Sequence, residues 1–262
     1  MTQALTMQTV DYRAIAPENI MCAEPFVHVW CASLERTPNH LQSLWALLSP
    51  DERRRAESFY FRKDRDRFVL ARALLRIVLG RYLKLNAAEV RFSYSAYGKP
   101  ALAQGCGTGE IRFNLSHSNA LALYAVTRGR EIGVDIEYIR PELAGEEIAE
   151  RFFSAAEAEA LRRLPAHQRT EAFFNCWTRK EAYIKAIGEG LSVPLNEFDV
   201  TLVPGEAARL LKTSGNLQEA SRWSLLELAP APGYVAALAL EGELNGVSCW
   251  QLTTAPFAES FN

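Results

Sequence analysis

The apolar positions of this chain follow two periods, one typical of helices and one typical of strands. Residues 64–84 are apolar at Phe68, Leu75, Leu79 and Tyr82, among others, which predicts a mostly buried helix of about five turns. The same spacing predicts further helices at 145–152, at 155–163 and at about 169–187.

Short segments between these helices predict strands. In 112–118, Phe113 and Leu115 point to one side and Asn114 and Ser116 to the other. Residues 101–110, ALAQGCGTGE, predict a loop. Further strands are predicted at 90–94, 121–127, 132–139, 198–203, 223–228, 233–240 and 247–253. The alternation predicts an α+β fold of two comparable halves that divide near residue 130.

Composition excludes several classes of protein and leaves an ordinary globular chain. The 262 residues are 48% hydrophobic and 23% charged, which excludes wholesale disorder, collagen and coiled coil. The net charge of -2 argues against a general nucleic-acid binder. Charge is nevertheless uneven, because residues 51–81 hold ten Arg and Lys against five acids, whereas 131–161 hold two against nine. The first segment suits anions and the second suits cations.

Cysteine usage and hydropathy predict a reduced, cytosolic protein without a membrane partner. The five cysteines are an odd set with no CxxC pair, so neither a disulfide framework nor a zinc site is indicated. The N-terminal residues lack the pattern of a secretory signal, and no apolar stretch approaches the ~20 residues that cross a bilayer.

Three arginines of the first long helix form a basic stripe. Arg65, Arg72 and Arg76 fall near one line at ~100° per residue. The stripe is either a solvated face balanced by Asp64 and Asp66 or an anion site, and its own pattern does not decide between them.

Two acidic motifs are the candidate chemistry. In the strand GVDIE, Asp135 and Glu137 share one face and can lean toward one cation. In the helix WTRKEAYIKAIG, Glu181 and Lys185 are four residues apart and therefore neighbours. Alone, the first motif would be a half-exposed strand whose polar face meets water, and the second an ordinary surface ion pair. Together they predict three carboxylates and one ammonium at a phosphate-bearing magnesium site.

Side chains must hold the phosphates, because the chain has neither GxxxxGK[ST] nor GxGxxG. Ser116, His117 and Lys99 are the candidate donors, with a capped turn as the plain alternative. A Ser/His nucleophile is disfavoured, since neighbours on a strand point to opposite sides.

The two acidic motifs resemble those of the Sfp-type 4′-phosphopantetheinyl transferases. That family pairs G-[VI]-D-[IL]-E with W-x-x-K-E-[AS]-x-x-K-x-x-G-x-G-L, and here GVDIE stands at 133–137 and WTRKEAYIKAIGEGL at 177–191. The segments GKP at 98–100, FNLSHS at 113–118 and RFFSAAE at 151–157 also match. The similarity runs from about residue 50 to 255, and the first 25 residues match nothing in the family.

The resemblance implies transfer of the phosphopantetheine arm of coenzyme A to a serine of an apo carrier protein, with release of adenosine 3′,5′-bisphosphate. It implies that Asp135, Glu137 and Glu181 hold Mg²⁺, or Mn²⁺, and that Lys185 neutralises the leaving phosphate. Either Glu181 or a metal-bound water would deprotonate the serine. Coenzyme A would contact Arg72, Lys99, Ser116, His117 and Lys185. Arg72 matches a G-R-x-L-x-R helix only in part, because Ala71 replaces the glycine, and Glu157 has a supporting role.

The family fold implies two similar α+β halves, each with a small antiparallel sheet and a long helix, closing over coenzyme A. Residues 1–130 would be the basic half that anchors coenzyme A, and 131–262 the acidic half with the metal site and catalytic helix. One chain would then work as a monomer and activate acyl or peptidyl carriers of fatty-acid, polyketide or nonribosomal-peptide synthesis. Two alternatives stay open at this point: a magnesium-dependent hydrolase using the same acids, and a non-catalytic binding module.

Overall fold

The protein is described by a computed structural model over residues 8–11, 26–35, 41–107, 109–213 and 217–253. Cys22 and most of the first 25 residues lie outside this description. Within the described residues, no helix combines the length and the apolar run that a bilayer crossing needs.

Seven helices and twelve strands are described, besides short 3₁₀ turns. In chain order they are β1 (Gln8–Asp11), β2 (Val27–Ser33), α1 (Leu41–Leu47), α2 (Pro50–Glu57), α3 (Arg62–Leu83), β3 (Phe92–Tyr94), β4 (Pro100–Leu102), β5 (Ile111–Ser118), β6 (Leu121–Arg128), β7 (Ile132–Tyr138), α4 (Glu146–Phe152), α5 (Ala155–Arg163), α6 (Ala166–Ile187), β8 (Asp199–Val200), β9 (Leu210–Lys212), α7 (Leu217–Ala220), β10 (Trp223–Leu228), β11 (Tyr234–Glu241) and β12 (Ser248–Thr253). The predicted α+β class is confirmed.

Two sheets stack face to face between the two long helices. A five-stranded sheet has the order β1-β12-β2-β6-β5, and a three-stranded sheet has the order β10-β11-β7. One apolar cluster joins the sheets and includes Val29 and Leu123 from the first and Val134 and Leu238 from the second. Helix α3 packs on the outer face of the first sheet, where the Tyr124 hydroxyl donates to the Ala71 carbonyl at 2.9 Å. Helix α6 packs on the outer face of the second.

The first sheet differs from a purely antiparallel one. Strand β12 lies between β1 and β2 and runs parallel to both. The chain therefore returns from its second half to complete the sheet of its first half. The remaining neighbours, β2 with β6 and β6 with β5, are antiparallel.

The edges of the two sheets meet where β5 lies beside β7. These strands share no backbone ladder, and side chains of β5 bond to backbone amides of β7 instead. The Asn114 side-chain oxygen accepts from the Val134 N–H at 2.9 Å, and the Ser118 hydroxyl accepts from the Tyr138 N–H at 3.0 Å. The polar face predicted for the 112–118 strand therefore joins the two halves.

Most predicted elements occur with shifted ends. The helix predicted at 169–187 begins at Ala166, and the strand predicted at 198–203 is only Asp199–Val200. The loop predicted at 101–110 begins within β4, which pairs with β3.

Strand β7 lies unusually close to α6 at Gly133. A β-carbon at Gly133 would overlap the Ala182 carbonyl oxygen and the Ala186 amide nitrogen, both of which are backbone atoms of α6. No side chain fits this contact without moving the helix from the sheet. The glycine thus sets the distance between the strand and the helix that carry the candidate acids.

We predict that Gly133→Ala lowers the free energy of unfolding by about 3 kcal/mol, because overpacking against backbone atoms has no flexible neighbour to absorb it. Urea unfolding followed by circular dichroism measures this change. Gly145→Ala is the matched control, since a β-carbon at Gly145 meets nothing within 4 Å, and its cost should stay below about 1 kcal/mol. Equal losses in the two variants would contradict the close contact at Gly133.

Candidate active site

The centre of the site is a bonded group of Asp135, Ser116 and Lys185. Strand β7 supplies Asp135, β5 supplies Ser116 and α6 supplies Lys185. The Lys185 ammonium donates to Asp135 Oδ1 at 2.6 Å and to Ser116 Oγ at 2.9 Å, and the Ser116 hydroxyl donates to the same Oδ1 at 2.8 Å. The structure therefore brings together three residues that lie up to 69 positions apart in sequence.

Helix geometry places Lys185 there. Gly133 brings Ala182 and Ala186 against β7, and Lys185 lies on the same turn of α6 as Ala182 and Ala186. Asp135 is only 3% exposed, and its second oxygen, Oδ2, is buried without a hydrogen-bond partner. An anionic oxygen left in this state is costly unless a cation or donor approaches it.

Two further carboxylates surround this group. Glu137 accepts a hydrogen bond from the Ser118 hydroxyl at 2.8 Å. Burial raises the pKa of Glu137 most, and the Asp135 charge raises it further against the opposing effect of Ser118. Burial is also the main cause that raises the pKa of Glu181, followed by the charge of Asp135. The three predicted acids thus act on one another electrostatically.

A wide cavity of about 660 Å³ opens on one side of the acids. Four arginines line it, Arg55, Arg67, Arg72 and Arg140, together with His117 and the acids Asp64 and Glu137.

Two of these guanidinium groups have an unused donor. Arg72 is 7% exposed, pairs with Glu52 at 3.5 Å through Nε, and keeps a buried Nη1 without a hydrogen-bond partner. The buried Nε of Arg67 also lacks a partner. Loss of solvent and the Lys185 charge lower the pKa of the His117 imidazole. The wide cavity is therefore suited to an anion.

Lys99 lies on the other side of the cluster. Together with Glu181, Lys185 and Gly188 it lines a narrow cavity of about 290 Å³. Its ammonium donates to Glu131 Oε2 at 3.0 Å and to the Ala186 carbonyl at 2.7 Å. The structure thus places Lys99 beside the predicted catalytic residues but with protein partners.

The basic stripe of α3 is divided between three environments. Arg76 is 1% exposed and bonds to Glu52 at 2.7 Å and to the Val90 carbonyl at 2.7 Å, so it is part of the core. Arg65 bonds to its neighbour Asp66. Of the stripe, only Arg72 lines the wide cavity.

Glu157 and Lys180, both within the sequence motifs, form a buried ion pair at 2.8 Å. The Lys180 ammonium also donates to the carbonyls of Leu195 and Phe198, and Glu157 accepts from the Val200 N–H. This network joins α5 and α6 to the segment 195–200. None of these bonds involves Asp135, Glu137, Glu181 or Lys185, and the network supports α6, which carries Glu181 and Lys185.

Sequence reasoning did not single out Arg67 and Arg140, which line the wide cavity. Arg67 lies off the line of the basic stripe, and Arg140 stands in the acidic segment. Both arginines are close in sequence to motif residues, but only the packing of α3, β5 and β7 shows that they line the same cavity.

The donor set fits a hard divalent cation. All candidate ligands are carboxylate oxygens, and Asp135 Oδ2 has no hydrogen-bond partner, while burial and the neighbouring acids raise the pKa of Glu137 and of Glu181. Among the described residues, however, no three Asp, Glu, His or Cys side chains form a ready group for a metal ion. The three-acid magnesium site stays a prediction.

Comparison with known proteins matches both halves of the chain to one family. A family model described as 4′-phosphopantetheinyl transferase superfamily matches residues 131–239, and one described as 4′-phosphopantetheinyl transferase, N-terminal, matches 33–128. The chain is 44% identical over 226 residues to 4′-phosphopantetheinyl transferase HetI of Nostoc sp., covering 86% of this chain and 92% of that protein. It is 36% identical over 157 residues to 4′-phosphopantetheinyl transferase Sfp of Bacillus subtilis, covering 60% and 67%.

These matches favour the transferase over the hydrolase and the binding module. The chain therefore belongs to the Sfp-type 4′-phosphopantetheinyl transferases, enzymes that transfer the phosphopantetheine arm of coenzyme A to carrier proteins.

Proposed function

We propose that this transferase uses Mg²⁺ to move the phosphopantetheine arm onto a serine hydroxyl of the carrier, releasing adenosine 3′,5′-bisphosphate. The observation that carries the proposal is the Lys185–Asp135–Ser116 group, which lies beside two carboxylates of raised pKa, one of which, Glu137, also lines the arginine-rich wide cavity. Phosphoryl transfer needs mainly this combination of positioning and charge neutralisation.

In this proposal, coenzyme A binds with its phosphates toward the wide cavity. The unpartnered donors of Arg72 and Arg67 support a phosphate position there, because a guanidinium binds phosphate by charge-assisted hydrogen bonds. His117 and Ser116 would contact the remaining phosphates from β5. Lys185 would reach the pyrophosphate from α6.

Asp135, Glu137 and Glu181 are the residues that would hold the ion. When bound, the ion would supply positive charge against the pyrophosphate and offset part of the negative charge of the three acids. The orphaned Asp135 Oδ2 supports this assignment. Carboxylate oxygens suit Mn²⁺ as well as Mg²⁺, so the same three residues would hold either ion.

The chemical step breaks the bond between the bridging oxygen and the phosphorus that carries pantetheine. The carrier serine oxygen forms the new bond to that phosphorus, and the adenosine bisphosphate leaves with the bridging oxygen. Glu181 is the proposed base for the serine proton, since its raised pKa brings its basicity nearer to neutral pH. Lys185 neutralises the charge on the leaving phosphate.

We further propose that residues 1–130 mainly anchor coenzyme A and that 131–262 carry the acids and the catalytic helix. Both halves of one chain line the wide cavity, with α3 and β5 from residues 1–130 and Glu137 and Arg140 from residues 131–262, which supports a monomer. The four described cysteines are free and buried, which favours the reducing cytosol. The acceptor would be an apo acyl or peptidyl carrier protein.

We predict that Asp135→Asn lowers turnover by at least about 100-fold, because it removes the charge that meets Lys185 and the proposed ion. Mass spectrometry of an apo carrier after incubation with coenzyme A and Mg²⁺ measures the transfer, and circular dichroism checks the fold. Asp199→Asn is the matched control: Asp199 is also buried and pairs with Lys212 at 3.0 Å, outside the cleft. Its turnover should stay within about threefold, and full activity of Asp135→Asn would contradict the assignment.

A second prediction concerns stability and pH. Burial raises the pKa of Glu181 in the folded protein, so its charged form opposes folding above the unfolded pKa of about 4.3. Glu181→Gln should therefore raise the urea midpoint at pH 7 in the absence of divalent ions. The gain should shrink as the pH falls toward 4, where the wild-type carboxyl is mostly protonated in both states.

Urea titrations with chelator at pH 7 and pH 4 measure this effect. The exposed Glu171 on the same helix supplies the control variant, Glu171→Gln, which should show no comparable gain. A destabilised Glu181→Gln at pH 7 would mean that the Glu181 charge is already compensated within the protein.

A further inference from the structure

Lys99 carries a network of contacts that the phosphate hypothesis does not explain. Its side chain is 19% exposed, and its ammonium ion-pairs with Glu131 at 3.0 Å. Glu131 in turn accepts from Arg112 Nε at 3.1 Å through its other oxygen. Both oxygens of Glu131 are thus engaged by cations from the first half of the chain.

The second partner of Lys99 is the end of the catalytic helix. The Ala186 carbonyl, which accepts from Lys99 at 2.7 Å, is one of the last four carbonyls of α6 and has no partner within the helix. A cation at a helix C-terminus is also favoured by the helix dipole. Ala186 directly follows Lys185, so Lys99 fixes the backbone that presents the Lys185 ammonium.

The packing of the 97–99 turn against the C-terminal end of α6 also links Lys99 to the backbone of this helix. Helix α6 stops at Gly188, which has a left-handed backbone with φ of 76°. A β-carbon on Gly188 would lie 3.0 Å from Lys99 Cδ, and one on Gly190, whose φ is 56°, would lie 3.2 Å from Tyr97 Cβ. The 97–99 turn therefore packs directly on the two glycines that end the helix.

A phosphate contact would require Lys99 to leave this arrangement. The ammonium would have to give up Glu131, the Ala186 carbonyl or both, and the freed groups would then need new partners. The wide cavity already offers unpartnered arginine donors for a phosphate.

We propose that Lys99 is a positioning residue that holds the last turn of α6, and with it Lys185, against the start of β7. Glu131, the residue just before β7, is the second anchor of this clamp. The inference rests on the proposed role of Lys185 and replaces the phosphate contact expected for Lys99 from the sequence.

Steady-state kinetics with coenzyme A as the varied substrate test the clamp. Lys99→Met keeps the length of the side chain and removes its charge, so kcat should fall by roughly tenfold or more while KM for coenzyme A stays within about threefold. Lys99→Arg, which can still donate to both partners, should recover part of the lost kcat. A phosphate contact predicts instead a large rise in KM for coenzyme A and a smaller change in kcat.

Glu131→Ala separates the two hypotheses more sharply, because they predict opposite changes in kcat/KM for coenzyme A. The clamp predicts a lower kcat, since Lys99 loses one anchor. A phosphate-binding Lys99 would instead be released from a competing carboxylate, so KM for coenzyme A would fall. Glu131 is 41% exposed, and its removal leaves the core intact if Lys99→Met should fail to fold.

Two controls separate the outcomes. Lys212→Met removes a lysine that pairs with Asp199 in the β8–β9 sheet and should leave both constants unchanged. Lys185→Met should abolish transfer. If Lys185→Met is inactive but Lys99→Met and Glu131→Ala keep the wild-type kcat, the clamp is wrong and the proposed chemistry stands. Full activity of Lys185→Met would overturn the proposed chemistry itself.

Discussion

The close packing of β7 on α6 at Gly133 is the constraint on which the rest of the site depends. A strand and a helix normally keep the distance that their side chains require, and here the missing side chain lets backbone meet backbone. Asp135 and Lys185, carried on these elements, therefore bond directly. Two residues 50 positions apart in sequence form one ion pair because the glycine lets their strand and helix pack closely.

The boundary between the two sheets serves both structure and chemistry. Asn114, Ser116 and Ser118 alternate along β5 and point toward β7, where they replace a backbone ladder. Ser116 and Ser118 also bond to the carboxylates of Asp135 and Glu137. The Ser118 hydroxyl thus bonds to the open edge of β7 and to Glu137, while Ser116 bonds to Asp135 and Lys185, so the site is held by both halves of the molecule.

The sequence predicted the long helices, the polar face of 112–118 and the placement of Asp135 and Glu137 on one face of β7, because each depends on local period alone. It did not predict β2, a strand buried along nearly its whole length, or the partners of Lys99. Those partners, Glu131 and Ala186, come from distant segments. The burial of Arg76 could not be predicted from the sequence either, because an arginine on a helix is normally exposed. Its buried partners, Glu52 and the Val90 carbonyl, come from other segments of the chain.

The position of strand β12 constrains the order in which the first sheet can form during synthesis. Because it fills the gap between β1 and β2, a nascent chain on the ribosome cannot finish its first sheet until residues near 250 have emerged. Until then one side of β2 lacks its neighbour and offers an open edge to other chains. Cutting the enzyme near residue 130 would therefore yield an N-terminal fragment with an unfinished sheet.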